Sequence, residues 1–364
     1  MKRIIVSVTN DLVTDERVNK VCTTLMKQNF NVLLIGRKLS YSIHVKRDYS
    51  IYRMRLFFNK GFLFYAEYNV RLFIKLLFVK TDFLISNDLD TLPSNYLISR
   101  VLNKPLIYDS HELFTEVPEL VEKHKVKKVW LFIEKVILPK LKYCYTVSDS
   151  IANHYNKLYN SNFEVIRNLP RKKPIAKGSF SFDTKDKKII LYQGAINVGR
   201  GIDLMIDTMS YLENSLFIII GDGDIVEELK LKVDNQILNH KVKFLGRITP
   251  KKLSQITPLA DIGISLEEDL GLSYRYALPN KLFDYIQAQV PVIVSNLPEM
   301  KKIVEQYNVG KTLSIRSPKA LSEIVVEMLR KGKKHWESSL RHASSELTWE
   351  SESIKLKNIF DNFN

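Results

Sequence analysis

The chain has 364 residues, 45% hydrophobic and 26% charged, with a formal net charge of +15 at pH 7, a composition that suits two globular domains of roughly 100–200 residues each and excludes a disordered chain. Its two cysteines, Cys22 and Cys144, lie outside any CxxC or Cys/His cluster, which excludes a disulfide framework and a zinc site and points to a reducing, cytoplasmic setting. The charge is uneven: residues 1–80 hold 15 Lys/Arg against 5 Asp/Glu, residues 81–168 balance at 11 each, and residues 169–364 hold 29 against 24. A basic first segment suits an anionic partner such as membrane lipid, nucleic acid or a phosphorylated substrate, or is simply a solvated surface.

MKRIIVSVTN opens the chain as a first strand, because its apolar run is too short for a signal peptide. Strands are expected at 4–9, 32–36, 51–56, 83–86, 105–108, 143–147 and 165–167, and again at 189–193, 216–220, 242–245, 262–266, 292–295 and 311–313. Most are unbroken apolar runs, the pattern of parallel strands buried on both faces, and helix-like segments alternate with them. This predicts an α/β fold of two Rossmann-like, doubly wound parallel-sheet domains. The apolar stretch 57–79 is interrupted by Lys60, Glu67, Asn69, Arg71 and Lys75, and a spanning helix needs about 20 mostly apolar residues. It reads as an amphipathic segment. The Lys-, Pro-, Gly- and Ser-rich run at 169–188 divides an N-terminal domain, 1–168, from a C-terminal domain, 189–347. An amphipathic helix within 348–364 is expected to pack back on the first domain.

Strand ends carry the candidate chemistry, because open α/β sheets bind ligands there. In the first half these are Asn10 after the first strand, Asp88 in NDLD, and Asp109, His111 and Glu112 in YDSHELFTEVPEL, 107–120. His111 is positioned to bond a sugar hydroxyl or to be structural. In the second half, YQGAINVGRG ends a strand at Gly194 and offers Arg200 to a phosphate. IIIGDG supplies Gly221, Asp222 and Gly223, and VKFLGR supplies Arg247. LPNKLFDY starts a helix at Asn280. Lys281 in its first turn is disfavoured by the helix dipole unless an anion sits there. Asp284 lies one turn on along the same face, either as a ribose ligand or as the partner of Lys281 in a surface ion pair. No Asp-x-Asp or Cys/His cluster has a convincing metal position, so no metal and no cofactor are expected.

In order along almost the whole chain, DERV, YDSHELF, VIRNLP, YQGAINVGRG, IIIGDG, VKFLGR, LPNKLFDY and SNLPEM resemble the retaining glycosyltransferases of the GT-B fold, the family 4 or group 1 enzymes. The resemblance implies two Rossmann-like domains facing a cleft, and transfer of a sugar from a nucleotide-diphosphate sugar to a glycan or lipid-linked acceptor with retention of configuration. It implies that His111 lies on the acceptor wall and that Arg200 and Lys281 face phosphate, these three being the candidate catalytic groups. It further implies that Asp284 holds the donor ribose and that Glu299 in LPEM closes over the donor. Of the two glutamates that the family spaces seven residues apart, Asp284 matches the second, Tyr276 stands at the first, and Glu267 and Glu268 fall out of register. A nucleotide-sugar epimerase of the same fold is the alternative, and Tyr276 suggests a further one, an inactive sugar-nucleotide-binding homologue. No RNA-binding or helix-turn-helix motif is present, so the partners expected are a nucleotide sugar, an acceptor and an anionic membrane surface, not nucleic acid. The expected location is the cytoplasm, peripheral on the inner face of the cell membrane.

Overall fold

The computed structural model describes residues 1–117, 120, 123–184 and 186–361. Pro118 and Glu119 of the segment 107–120, Lys185 of the segment 169–188 and residues 362–364 of the C-terminal segment lie outside the described residues. The chain divides into two compact units, Met1–Asn168 with Ser351–Asn364, and Leu169–Glu350.

In the first unit the strands are β1 (Arg3–Ser7), β2 (Asn31–Lys38), β3 (Ser50–Arg55), β4 (Phe83–Asn87), β5 (Leu106–Ser110), β6 (Tyr143–Thr146) and β7 (Phe163–Val165). They form one parallel sheet in the order β3-β2-β1-β4-β5-β6-β7. Ile4 of β1 is in register with Val32 of β2 and Phe83 of β4. The strands are apolar throughout because helices cover both faces of such a sheet. Helix α1 (Glu16–Lys27) joins β1 to β2, and Asp15 caps it by accepting from the Val18 amide. Helices α2 (Gly61–Leu77), α3 (Asp88–Val101) and α4 (His124–Ile137) follow β3, β4 and β5. Each leads to the next strand toward the β7 edge, so right-handed crossovers bring all three to one face of the sheet and α1 to the other. Helix α5 (Asp149–Tyr159) lies between β6 and β7.

The second unit repeats the plan. Strands β8 (Lys188–Gln193), β9 (Ser215–Ile220), β10 (Val242–Gly246), β11 (Ile262–Ser265), β12 (Val292–Ser295) and β13 (Gly310–Leu313) are parallel in the order β10-β9-β8-β11-β12-β13. Between them run α6 (Ile202–Thr208), α7 (Val226–Asn235), α8 (Pro250–Ile256), α9 (Leu272–Arg275), α10 (Asn280–Gln287) and α11 (Pro298–Tyr307). Then follow α12 (Pro318–Lys331) and α13 (Glu337–Glu346). Tyr192, Phe217, Phe283, Ile293 and Trp336 lie in its core.

The segment 169–188 has no helix or strand among its described residues before Lys188, yet it is no free tether. The Gly178 amide donates to the Gln255 carbonyl at 2.9 Å, and Phe180 and Phe182 pack on the second unit's core. Helix α14 (Trp349–Asp361) belongs to the first unit from Ser351 onward. Its Leu356, Ile359 and Phe360 are buried, with the Phe360 ring 6.0 Å from that of Phe30 in the first unit.

Strand positions read from sequence agree with those observed to within one or two residues at most ends. The largest shift is at β7, at Phe163–Val165 and not 165–167, two residues at both ends. Ile166 is buried just past β7, its amide donating to the Thr146 carbonyl of β6 and its carbonyl accepting from Arg17.

Candidate functional site

In the second unit the strand ends of β8, β9 and β11 meet the first turn of α10. β8 runs into Gly194 and β9 into Gly221. A Cβ on Gly221 would fall 1.8 Å from the Gly194 carbonyl oxygen, and its φ is +146°. Only glycine lets these two turns touch. Gly194 in turn leaves bare backbone beside Lys281, whose Nζ is 4.0 Å from where its Cβ would be.

Lys281 is almost completely buried, lies 4.1 Å above the Tyr192 ring, and its Nζ is 2.8 Å from Oε1 of Glu267, a fully buried side chain just past β11. Arg200 reaches the same oxygen at 3.8 Å and stacks on Tyr274 at 4.9 Å. The Ser265 hydroxyl donates to the other Glu267 oxygen at 2.7 Å. Burial would raise the Glu267 carboxyl, but Lys281, Ser265 and Arg200 outweigh it and hold it below the ordinary glutamate value. Arg200 Nε is buried at this point without a hydrogen bond, while Lys281 Nζ and Glu267 Oε1 satisfy each other only as an ion pair. An unsatisfied buried donor is rare in folded proteins, and one beside two cations marks a place for an anion or a polar ligand.

The surface pair of Lys281 with Asp284 is corrected by this geometry: Lys281 turns inward to Glu267, while Asp284 accepts from Gln193 Nε2 at 3.2 Å. Gln193 is held from its other end by Thr257 at 2.8 Å, and its amide donates to the buried Tyr285 hydroxyl. Asn280 opens α10 behind Pro279. Tyr276 ends α9, and Glu299 is buried in the first turn of α11. Asp222 and Arg247 pair with each other at 3.2 Å on an exposed surface, and Asp222 also accepts from the Gly223 amide. Arg316, unmarked in the sequence reading, donates to the Leu266 carbonyl at 3.0 Å, to Ser295 at 3.3 Å and to Glu268 at 3.1 Å, tying the loop after β11 to β12.

The first unit gathers a separate cluster at its strand ends. Asp109, at the end of β5, is bound by Arg17 at 2.6 and 3.2 Å and by His111 Nε2 at 3.2 Å. Its side chain is wholly buried, and it orients Arg17 and His111. Asp88 holds His111 twice, accepting from its amide at 2.8 Å and pairing with Nδ1 at 3.2 Å. Asp88 does so at φ +56°, a left-handed conformation that non-glycine residues seldom adopt. Burial would lower the His111 imidazole, but Asp88 and Asp109 push it up to about 9, so it is a cation at neutral pH. Burial, reinforced by Asp88, pushes Asp90 up to about 7, and Thr9 donates to it at 2.6 Å. Asn10 is spent on the turn, bonding Asp15 and the Leu12 amide. Glu112 is exposed beside His111.

Sequence reasoning placed both cations of the second unit but missed Glu267 as their shared counter-charge. The available signal was a carboxylate directly after the buried run ISL, at the carboxyl end of a parallel strand.

The model of the family described as Glycosyl transferases group 1 matches residues 177–341. A Campylobacter jejuni α-1,4-N-acetyl-D-galactosaminyltransferase, named for a diNAcBac-PP-undecaprenol-linked glycan, is 27% identical over 177 residues, 46% of this chain and 45% of its own. An uncharacterized glycosyltransferase of Methanocaldococcus jannaschii is 25% identical over 142 residues, 38% and 34%. The alignments thus span less than half of each relative. Among solved structures, sucrose-phosphate synthase from Thermosynechococcus elongatus superposes with a TM-score of 0.83 at 14% identity, covering 100% and 99% of the two chains. Anabaena HepE in complex with UDP-glucose gives 0.78 at 13%, covering 100% of each. The two parallel-sheet units share the fold of these structures, the GT-B fold. The match to the group 1 glycosyl transferase model falls within the second unit.

Proposed function

We propose that the protein transfers a sugar from a nucleotide-diphosphate sugar to a lipid-linked or cell-surface glycan, with retention of configuration, at the inner face of the cell membrane. The observation that carries this reading is the convergence of Lys281 and Arg200 on one buried carboxylate beside the bare Gly194 backbone, with the buried Arg200 Nε left without a hydrogen bond. Breaking a glycosyl–diphosphate bond loads negative charge on the leaving group. Two fixed cations and the first amides of α10 are suited to stabilise it. Asp284 accepts the ribose hydroxyls. Glu299, and the Gly221–Gly223 turn with Asp222 and Arg247, belong to the donor side. His111, as an imidazolium held by Asp88 and Asp109, donates a hydrogen bond on the acceptor side and is a poor base. With no enzymic nucleophile assigned, front-face attack by the acceptor is the route we favour. The Campylobacter relative's lipid-linked glycan supports the acceptor class.

The test is thermal shift of the purified protein with UDP-, GDP-, ADP- and dTDP-sugars, followed by mass spectrometry of lipid-linked acceptors incubated with the stabilising donor. A product heavier by one sugar supports the reading. Release of an altered free sugar without acceptor identifies an epimerase, and stabilisation without turnover identifies a binding homologue.

A further inference from the structure

Helix α2 is apolar on two opposite faces. Phe64, Tyr68, Leu72 and Leu76 are buried, and Leu63, Val70, Ile74 and Leu77 are exposed. At about 100° per residue these two sets centre on opposite sides of the helix. An ordinary surface helix shows solvent its polar face. Phe57, Phe62 and Phe78, at the ends of α2, are 83%, 73% and 83% exposed. Helix α4 repeats the feature: Trp130, Glu134 and Ile137 are buried, while Val126, Val129, Phe132 and Val136 form an exposed stripe. The two helices lie on the same side of the sheet, both contact α3, and touch through Tyr65 and Trp130, whose ring centroids are 5.1 Å apart.

The charge around these stripes is mostly positive, although Glu116 pairs with Lys127. Helix α2 carries Arg71 and Lys75, and α4 carries Lys125, Lys127, Lys128 and Lys135. Against them stand Glu67, which holds Arg71 and the Phe57 and Phe58 amides, and the buried Glu134. Lys60, Lys80, Lys125, Lys128 and Lys135 have no ion-pair partner among the described residues. Arg71 lies over the Phe57 ring at 5.0 Å and Lys75 over the Tyr52 ring at 4.3 Å. Among the described residues no helix is long and apolar enough to cross a membrane.

We propose that α2 and α4 together form one docking surface for an anionic phospholipid bilayer. The exposed aromatic and aliphatic side chains enter the headgroup boundary and the lysines face lipid phosphates. This deepens the reading of a lipid-linked acceptor by naming the surface that would bring the first unit to it.

Vesicle sedimentation tests the surface without any sugar donor, so its outcome is separate from that of the transfer assay. The full chain is expected to pellet with phosphatidylcholine vesicles containing phosphatidylglycerol, not with phosphatidylcholine alone, and to be released by high salt. Lys125→Gln/Lys128→Gln should lower partition about thirtyfold, two surface-proximal cations' worth. Phe62→Ser/Phe132→Ser, both exposed, should also weaken it with unchanged melting. Failure to pellet on anionic vesicles at low salt overturns the proposal, as does equal binding to neutral vesicles. A concentration-dependent dimer in vesicle-free buffer, abolished by Phe62→Ser/Phe132→Ser, would identify a second copy of the chain as the occupant and also overturn it.

Discussion

Replacing Lys281 by Met separates what this cation does for the fold from what it does for a donor. Its Nζ is 2.8 Å from Glu267, and the Glu267 side chain is fully buried. Removing it leaves a buried carboxylate with Arg200 at 3.8 Å as its remaining cation. Breaking a buried pair by deleting one partner costs about 3–5 kcal/mol, and Arg200 offsets part of that. Burial is the largest influence on the Glu267 carboxyl, so without Lys281 its pKa rises above the unfolded value. The stability loss is then small near pH 4.5 and grows as pH rises toward the new folded value. Pairing the substitution with Glu267→Gln removes the stranded charge and should restore most of the stability. Turnover should not recover, because a charge-assisted hydrogen bond to the diphosphate, about 1.5–3 kcal/mol or 10- to 150-fold in rate, is still missing. Urea unfolding at pH 5 and pH 8, with donor turnover on the same samples, measures both. If the double variant regains turnover together with stability, Lys281 is merely the counter-ion of Glu267 and the diphosphate site is refuted.

Asp284→Ala should weaken both nucleotide and nucleotide-sugar binding by calorimetry, by about 10- to 150-fold if a ribose bond to a charged group is lost, while Asp284→Glu is tolerated. Unchanged nucleotide affinity would remove Asp284 from the ribose. His111 has a folded pKa near 9, above its unfolded 6.5, so its contribution to stability is complete below pH 6.5 and is lost as pH rises through about 9. Unfolding free energy should fall across that window, and His111→Gln should flatten the slope; an unaltered slope counts against the imidazolium. Sugar transfer is expected to persist in EDTA, because the carboxylates of the Asp88–Asp90 motif are engaged by His111 and Thr9. Loss of activity with rescue by magnesium or manganese would overturn that.

The sequence by itself determined the two parallel-sheet units, because strands buried on both faces must be apolar along their whole length and so stand out from the amphipathic helices between them. It also marked Gly194, Arg200 and Lys281, since strand ends and helix starts are local features, and a cation in a first turn is a local anomaly. Tertiary structure alone decided the partners. Arg17 meets Asp109 across 92 positions of sequence, and Lys281 chooses Glu267 over Asp284, because a buried charge settles with whichever opposite charge the fold buries beside it. The same holds for the run 57–79. Its periodicity allows two apolar faces, and only the packing of Tyr68 and Leu72 against the first unit fixes which one is left to solvent. The end of β7 was likewise beyond the local pattern, because the Ile166 amide still donates to Thr146 of β6 while its carbonyl turns to the distant Arg17.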